Sequence, residues 1–206
     1  MMSSSSAPVF GAGAASQPRE VLEDWFGAPD APDAGQPRGW WFKASDALDA
    51  RLRARFGALL EAAACGECDA WADAGPHAAL ALVLVLDQLS RNLHRGTPAA
   101  FACDAKALAV TRCILAKQED TRLTPLERSF AYMPLEHSED IKAQEESLCR
   151  FRALADDAGL SEELRYAERH AEIIRRFGRF PHRNSILGRV STEAEVEFLA
   201  QPGSGF

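Results

Sequence analysis

The chain has 206 residues, 47% of them hydrophobic and 26% charged, with a formal net charge of -7. That balance suits one globular domain with its own core and is too apolar for a disordered chain. The acidity argues against general affinity for nucleic acid or anionic membrane, and the longest apolar run, Ala78–Leu86, is far short of the roughly 20 residues a membrane-spanning helix needs.

Residues 1–18 hold no basic residue and no apolar run of signal-peptide length, so they read as a flexible tail ahead of a single domain over 19–206. Five cysteines, an odd number with no secretory leader, point to a reducing compartment and a cytoplasmic protein. Val21, Leu22 and Trp25 mark a first helix, followed by a Pro/Gly/Asp loop over Gly27–Gly39. Trp40, Trp41 and Phe42 then read as a core plug. Ser45 is a candidate cap for a helix whose apolar stripe is Leu48, Leu52, Phe56 and Leu59. Cys65 and Cys68 form a CxxC at a helix end, with neither a preceding strand nor a second pair to suggest redox or zinc chemistry.

Gly75-Pro76 opens the apolar helix that ends in Asp87-Gln-Leu-Ser-Arg-Asn92. Asp87 and Arg91 are four apart and share a face, where polar groups emerge from an apolar run beside Gln88 and Asn92. Gly96 and Pro98 separate this helix from the next, with Thr97 as its cap, and Thr124 with Glu127 forms a capping box. Pro134 is expected to stop or kink the following helix near Met133. At that junction stand Glu136 and His137, a carboxylate and a candidate general base or hydrogen-bond donor. Ser138 is expected to cap a helix bearing Ile141, Leu148 and Phe151. Ser161 should cap the next, whose stripe is Tyr166, His170, Ile173 and Phe177. Thr192 with Glu195 opens a last short helix.

No strand pattern appears, so the fold class is all-α, about seven to nine helices joined by short connections. The helix starts are too unevenly spaced to define a strict repeat.

Between residues 165 and 189 the charge reverses. Seven arginines face Glu168 and Glu172, a net of +5 that leaves -12 for the remainder. Within this segment, Phe177-Gly-Arg-Phe-Pro-His-Arg-Asn184 combines anchors, Phe177, Phe180 and Pro181, with the donors Arg179, His182, Arg183 and Asn184. A guanidinium offers a planar fork that matches carboxylate or phosphate; the same groups also suit bonding to helix-end carbonyls. No P-loop, GxGxxG, GxSxG or HExxH is present, and no metal site is expected.

The stretches WF, LDQLSRN, HRGTPAAFACD, YMPLEHSED, FGRFPHRN and ILGRVSTEAEVEFL together resemble the bacterial family known as domain of unknown function 924, from about Val21 to the end. The resemblance implies a tetratricopeptide-repeat-like (TPR-like) α–α superhelical bundle. It implies no activity and no cofactor. Its motif positions fall on Asp87, Gln88, Arg91, Asn92, Glu136, His137, Ser138, Glu139, Arg179, His182, Arg183 and Asn184. Ser90 departs from the proline the family usually carries there.

The functional expectation is a polar pocket between helix ends that holds a small anionic ligand or an acidic peptide end. Arg91, Arg179 and Arg183 would hold the anion, with Asn92, His182 and Asn184 as directional donors and Asp87, Glu136 and His137 lining the cavity. Two alternatives stand beside it. One is a hydrolase-like enzyme with His137 or His182 as general base, oriented by Glu136 or Asp87. The other is a TPR-like scaffold for a protein partner.

Overall fold

The computed structural model describes residues 11, 13, 15–43 and 45–204. Among them the chain is helical with no strand, in eight helices packed as a bundle. Helix α1 is Pro18–Phe26 and α2 is Asp46–Cys65, capped by the Ser45 side chain accepting from the Leu48 N–H. Helix α3 is continuous over 76–93: Pro76–Val83 is α-helical, Leu84–Leu89 widens into a π-helix, and Ser90–Leu93 returns to α geometry. Then come α4 (Asp104–Ala116), α5 (Pro125–Glu136), α6 (Ile141–Ala158), α7 (Ser161–Phe177) and α8 (Glu193–Leu199).

Helix α3 is the axis of the core. Every residue from Ala79 to Leu86 is fully buried, the signature of a helix surrounded on all sides rather than lying on a surface. Helices α1, α2, α4 and α5 pack on it, while α6 and α7 pair with each other and with α5. The aromatic plug forms around Trp25, which meets Trp40 edge-on at 5.0 Å and stacks on Trp41 at 6.2 Å. Phe42, by contrast, is 71% exposed.

Several local expectations change in three dimensions. Helix α5 runs through Pro134 to Glu136. Proline removes one hydrogen bond in the last turn, and the His137 N–H to the Met133 carbonyl, 2.9 Å, keeps that turn closed. The cap of α6 is Asp140, accepting from the Lys142 N–H; the Ser138 hydroxyl instead accepts from the Asp140 N–H. Ser161 is the first residue of α7 rather than its cap. The Thr97 hydroxyl donates to the His94 carbonyl and caps nothing; a 3-10 turn, Pro98–Phe101, precedes α4. Tyr166 is 46% exposed and lies off the buried stripe. Within the stretch read as a tail, residues 1–10 lie outside the described residues, but Ala15 is buried and its N–H bonds the Arg55 carbonyl. Both capping boxes, Thr124 with Glu127 and Thr192 with Glu195, form.

Candidate functional site

Asp87 has no exposed surface, although it carries a charge, so every contact it makes must compensate lost hydration. Its position follows from the π-helical turn. Such a turn widens the helix and withdraws carbonyls from their usual partners. Here the Ser90 hydroxyl lies within hydrogen-bonding reach of the Leu86 and Asp87 carbonyls, at 2.7 and 3.0 Å, and of the Ala100 carbonyl at 3.2 Å. The Arg91 guanidinium also donates to the Asp87 carbonyl at 2.9 Å. A proline at position 90 has no hydroxyl to offer, so this chain supports the turn in its own way.

Around the Asp87 carboxylate a ring of contacts closes. His137 Nδ1 lies 2.7 Å from Asp87 Oδ1, and Arg91 Nη1 lies 3.1 Å from the same oxygen. Arg91 then donates twice to Asp104, at 2.9 and 3.1 Å. Arg183 donates to Asp104 Oδ2 at 3.2 Å and, through its other nitrogen, to the His137 carbonyl at 3.0 Å. Four segments far apart in sequence thus meet: the π-helical turn, the start of α4, the end of α5 and the 3-10 turn Pro181–Arg183. Gln88 backs the ring, donating to Asp87 Oδ2 at 2.6 Å.

Arg183 is buried, and its guanidinium is sandwiched between the Phe101 and Phe180 rings at 4.6 and 4.5 Å. Its Nε has no hydrogen-bond partner among the described residues. Glu139 fixes the segment that delivers it, accepting from the Phe180 N–H at 2.7 Å and from Arg189 at 2.7 and 3.0 Å.

Electrostatics assign the charges. Burial alone would raise the Asp87 pKa, but Arg91 and the His137 contact overcome it and hold the carboxyl well below its usual range. Burial and then the Arg91 charge lower His137, against the pull of Asp87, so the imidazole is neutral near pH 7. Its Nδ1–H then donates to Asp87, and Nε2 has no bond to a described residue; the His137 side chain is 15% exposed. For Arg183, burial and then Arg91 bring the pKa down to about 10, despite Asp104.

The remaining sequence candidates divide. Glu136, next to His137, turns away and pairs with a second imidazole, its Oε1 2.7 Å from His170 Nδ1. The two imidazoles lie side by side, ring centroids 5.9 Å apart. His182 packs on Phe180 at 5.7 Å, and burial, then Arg183, lower its pKa to about 4. Asn92 stands at the end of α3, its amide placed to donate to the Gln88 carbonyl and accept from Arg95. Asn184 donates to the Ser191 hydroxyl at 3.0 Å and ties down the chain beyond it. Arg179 is held by Glu195, at 2.7 and 2.8 Å, and by the Val190 carbonyl, and so fastens α8. Asp104, Phe101, Phe180 and His170 belong to the assembly and were not singled out as site residues in the sequence. Asp104 carried one signal: it is the acid that closes HRGTPAAFACD at the start of a helix. Among the described residues no group of three or more His, Cys, Asp or Glu side chains is arranged to hold a metal ion.

Comparison with known proteins agrees with the fold. A family model described as bacterial protein of unknown function (DUF924) matches residues 21–203. A solved structure, that of the protein of unknown function ATU0120 from Agrobacterium tumefaciens, is similar with 39% sequence identity and a TM-score of 0.72, covering 78% of this chain and 88% of the other. No curated protein matches.

Proposed function

The chain belongs to the DUF924 family of bacterial proteins of unknown function, and we propose that the ring from His137 to Arg183 recognises the anionic group, carboxylate or phosphate, of a small ligand or an acidic peptide end. The supporting observation is Arg183: a buried, ring-sandwiched guanidinium with one unpartnered N–H, sharing a single carboxylate with Arg91. Asp87 and Asp104 match the two guanidiniums in charge, so an anion would be held by directional N–H groups, and burial makes each such contact count. The partly exposed side chains of Arg91, Asp104 and His137 are where a ligand would meet the ring. Arg179 and Asn184, spent on other partners, belong to the frame rather than to the contact. The same reading takes the stack as TPR-like, with helix ends gathered on one functional face, and the setting as cytoplasmic, in keeping with five free cysteines.

The test is thermal melting against carboxylates, phosphates and short acidic peptides. A ligand at about 100 times its Kd stabilises the native state by about 2.7 kcal/mol, and Arg183→Lys should abolish that shift. If no anion stabilises the wild type, the arginines serve only the fold.

One observation favours a second reading, a hydrolase-like activity. A fully buried carboxylate orients a neutral imidazole whose other nitrogen is bonded to no described residue, the arrangement of a general base that activates water or a ligand hydroxyl. Turnover of a panel of esters and phosphoesters, lost in His137→Gln with ligand binding retained, would support it. Unchanged turnover in that variant would exclude His137 as the base.

A further inference from the structure

A second recess lies apart from the ring and shares no lining residue with it. It has a volume of about 260 Å³ and sits between the 37–42 loop, α5 and the first turn of α7. Three aromatic side chains line it. Trp41 stands at 77° to Phe130, with ring centroids 4.7 Å apart, and at 69° to Phe42, with centroids 6.4 Å apart. Phe42 in turn lies parallel to Phe130 at 6.2 Å. Trp41 and Phe130 are buried, whereas Phe42 is 71% exposed. The face of an aromatic ring is electron-rich and attracts a cation within about 6 Å of its centroid. Rings this close, set at steep angles around one hollow, can act on the same cation.

Glu163, half-buried in the first turn of α7, also lines the recess. Its neighbour Glu162 takes Arg165 at 2.6 Å, but Glu163 pairs with no cation among the described residues. The lining holds one cation of its own, Arg38, and that guanidinium is committed: it donates to Asp33 at 2.6 Å and to the Phe26 carbonyl at 3.1 Å. The Ser129 hydroxyl already donates to the Leu126 carbonyl at 2.7 Å. The recess therefore offers aromatic surface and one uncommitted carboxylate.

That combination selects among cations. A bare ammonium carries several N–H donors and, on leaving water, needs acceptors that these side chains do not supply. A fully methylated ammonium has no N–H to satisfy, and its methyl groups pack on ring faces while its charge is felt by them. A cavity of about 150 Å³ holds benzene, so a trimethylammonium head, no larger than that ring, fits with room for the chain that carries it.

We infer that this recess is a second ligand site, which takes a trimethylammonium head against Trp41, Phe42 and Phe130 with its charge facing Glu163. Such a head occurs on small molecules such as choline and on trimethylated lysine side chains. The inference is independent of the anion-binding reading.

The experiment is calorimetric titration of the full chain with tetramethylammonium, choline, an acetylated trimethyllysine amide, ammonium and neohexyl alcohol, the neutral carbon isostere of choline. Choline or the trimethyllysine amide should bind about five-fold or more tighter than neohexyl alcohol, and tetramethylammonium tighter than ammonium by the same margin. The tighter of choline and trimethyllysine identifies where the head comes from. Phe42→Ala and Glu163→Gln should each weaken that binding about three-fold or more. Neither side chain is part of the core, so both variants should keep the wild-type melting temperature. Neohexyl alcohol binding as tightly as choline would reduce the recess to an apolar hollow and overturn the inference. Ammonium matching tetramethylammonium, affinity untouched by both variants, or no binding of any quaternary ammonium would overturn it as well.

Discussion

His137 Nδ1 lies 2.7 Å from Asp87 Oδ1, and the carboxylate it meets has no exposed surface. Asp87 is also bonded to Gln88 and Arg91, so one buried charge holds three side chains. Asp87→Asn keeps the shape and removes the charge, leaving Arg91 and His137 without their common partner. Breaking a buried ion pair on one side costs about 3–5 kcal/mol, and urea unfolding at pH 7 should show a loss of that order. A loss under about 1 kcal/mol would mean that the pair is no stronger than a surface contact.

Acidification should weaken the fold through His182. Its folded pKa, about 4, lies below the ordinary 6.5. Between those values the unfolded state binds the proton and the folded state does not, so stability falls as pH drops from about 6.5 to about 4 and is flat above that window. His137, lowered for the same reason, adds in the same direction. Asp87 contributes with the usual carboxylate sign: its stability is present above the ordinary carboxylate pKa and is lost only in strong acid. Urea midpoints from pH 7 to pH 4.5 should fall in the wild type and fall less in His182→Gln. Equal slopes in the two proteins would place the titration elsewhere.

Arg183→Lys keeps the charge but loses the planar group sandwiched by Phe101 and Phe180 and the fork that reaches both Asp104 and the His137 carbonyl. The expected cost is about 2 kcal/mol, a melting temperature lower by about 4–8 °C for a chain of this size. A wild-type melting point would show that charge alone matters at this position.

Arg179→Ala should act locally. Its partners, Glu195 and the Val190 carbonyl, belong to α8 and the chain leading to it, and α8 lies at the periphery. Amide exchange over residues 193–199 should accelerate while the global urea midpoint moves little and anion binding persists. Loss of anion binding would return Arg179 to the site.

The fold was legible because its signals are local. The capping boxes at Thr124 and Thr192, the Gly75-Pro76 start and the unbroken apolar run of α3 each act within a few residues, and each appears where the sequence put it. Proline at 134 misled because the rule for helix interiors weakens in a final turn, where one lost bond is tolerated. The site was half legible. Asp87, Arg91, His137 and Arg183 stand out as polar groups at helix ends, and they do meet. Asp104 did not stand out, since an acid in the first turn of a helix is ordinary; only the fold brings Arg91 and Arg183 to it. The π-helical turn that aims Asp87 left no periodic trace, because it depends on carbonyls taken up by Ser90 and Arg91. Glu136 and His137 are adjacent in sequence, yet they join different partners on different helices.

The most direct test of the central claim reads the guanidiniums themselves. Nitrogen-15 NMR of the arginine Nε–H groups, assigned through Arg91→Lys and Arg183→Lys, follows both cations during titration with inorganic phosphate and with acetate. If the ring recognises an anion, the Arg91 and Arg183 resonances move together and saturate, while that of Arg179 stays in place. If neither resonance responds to any anion, the ring is a structural clasp and the anion-binding account is wrong.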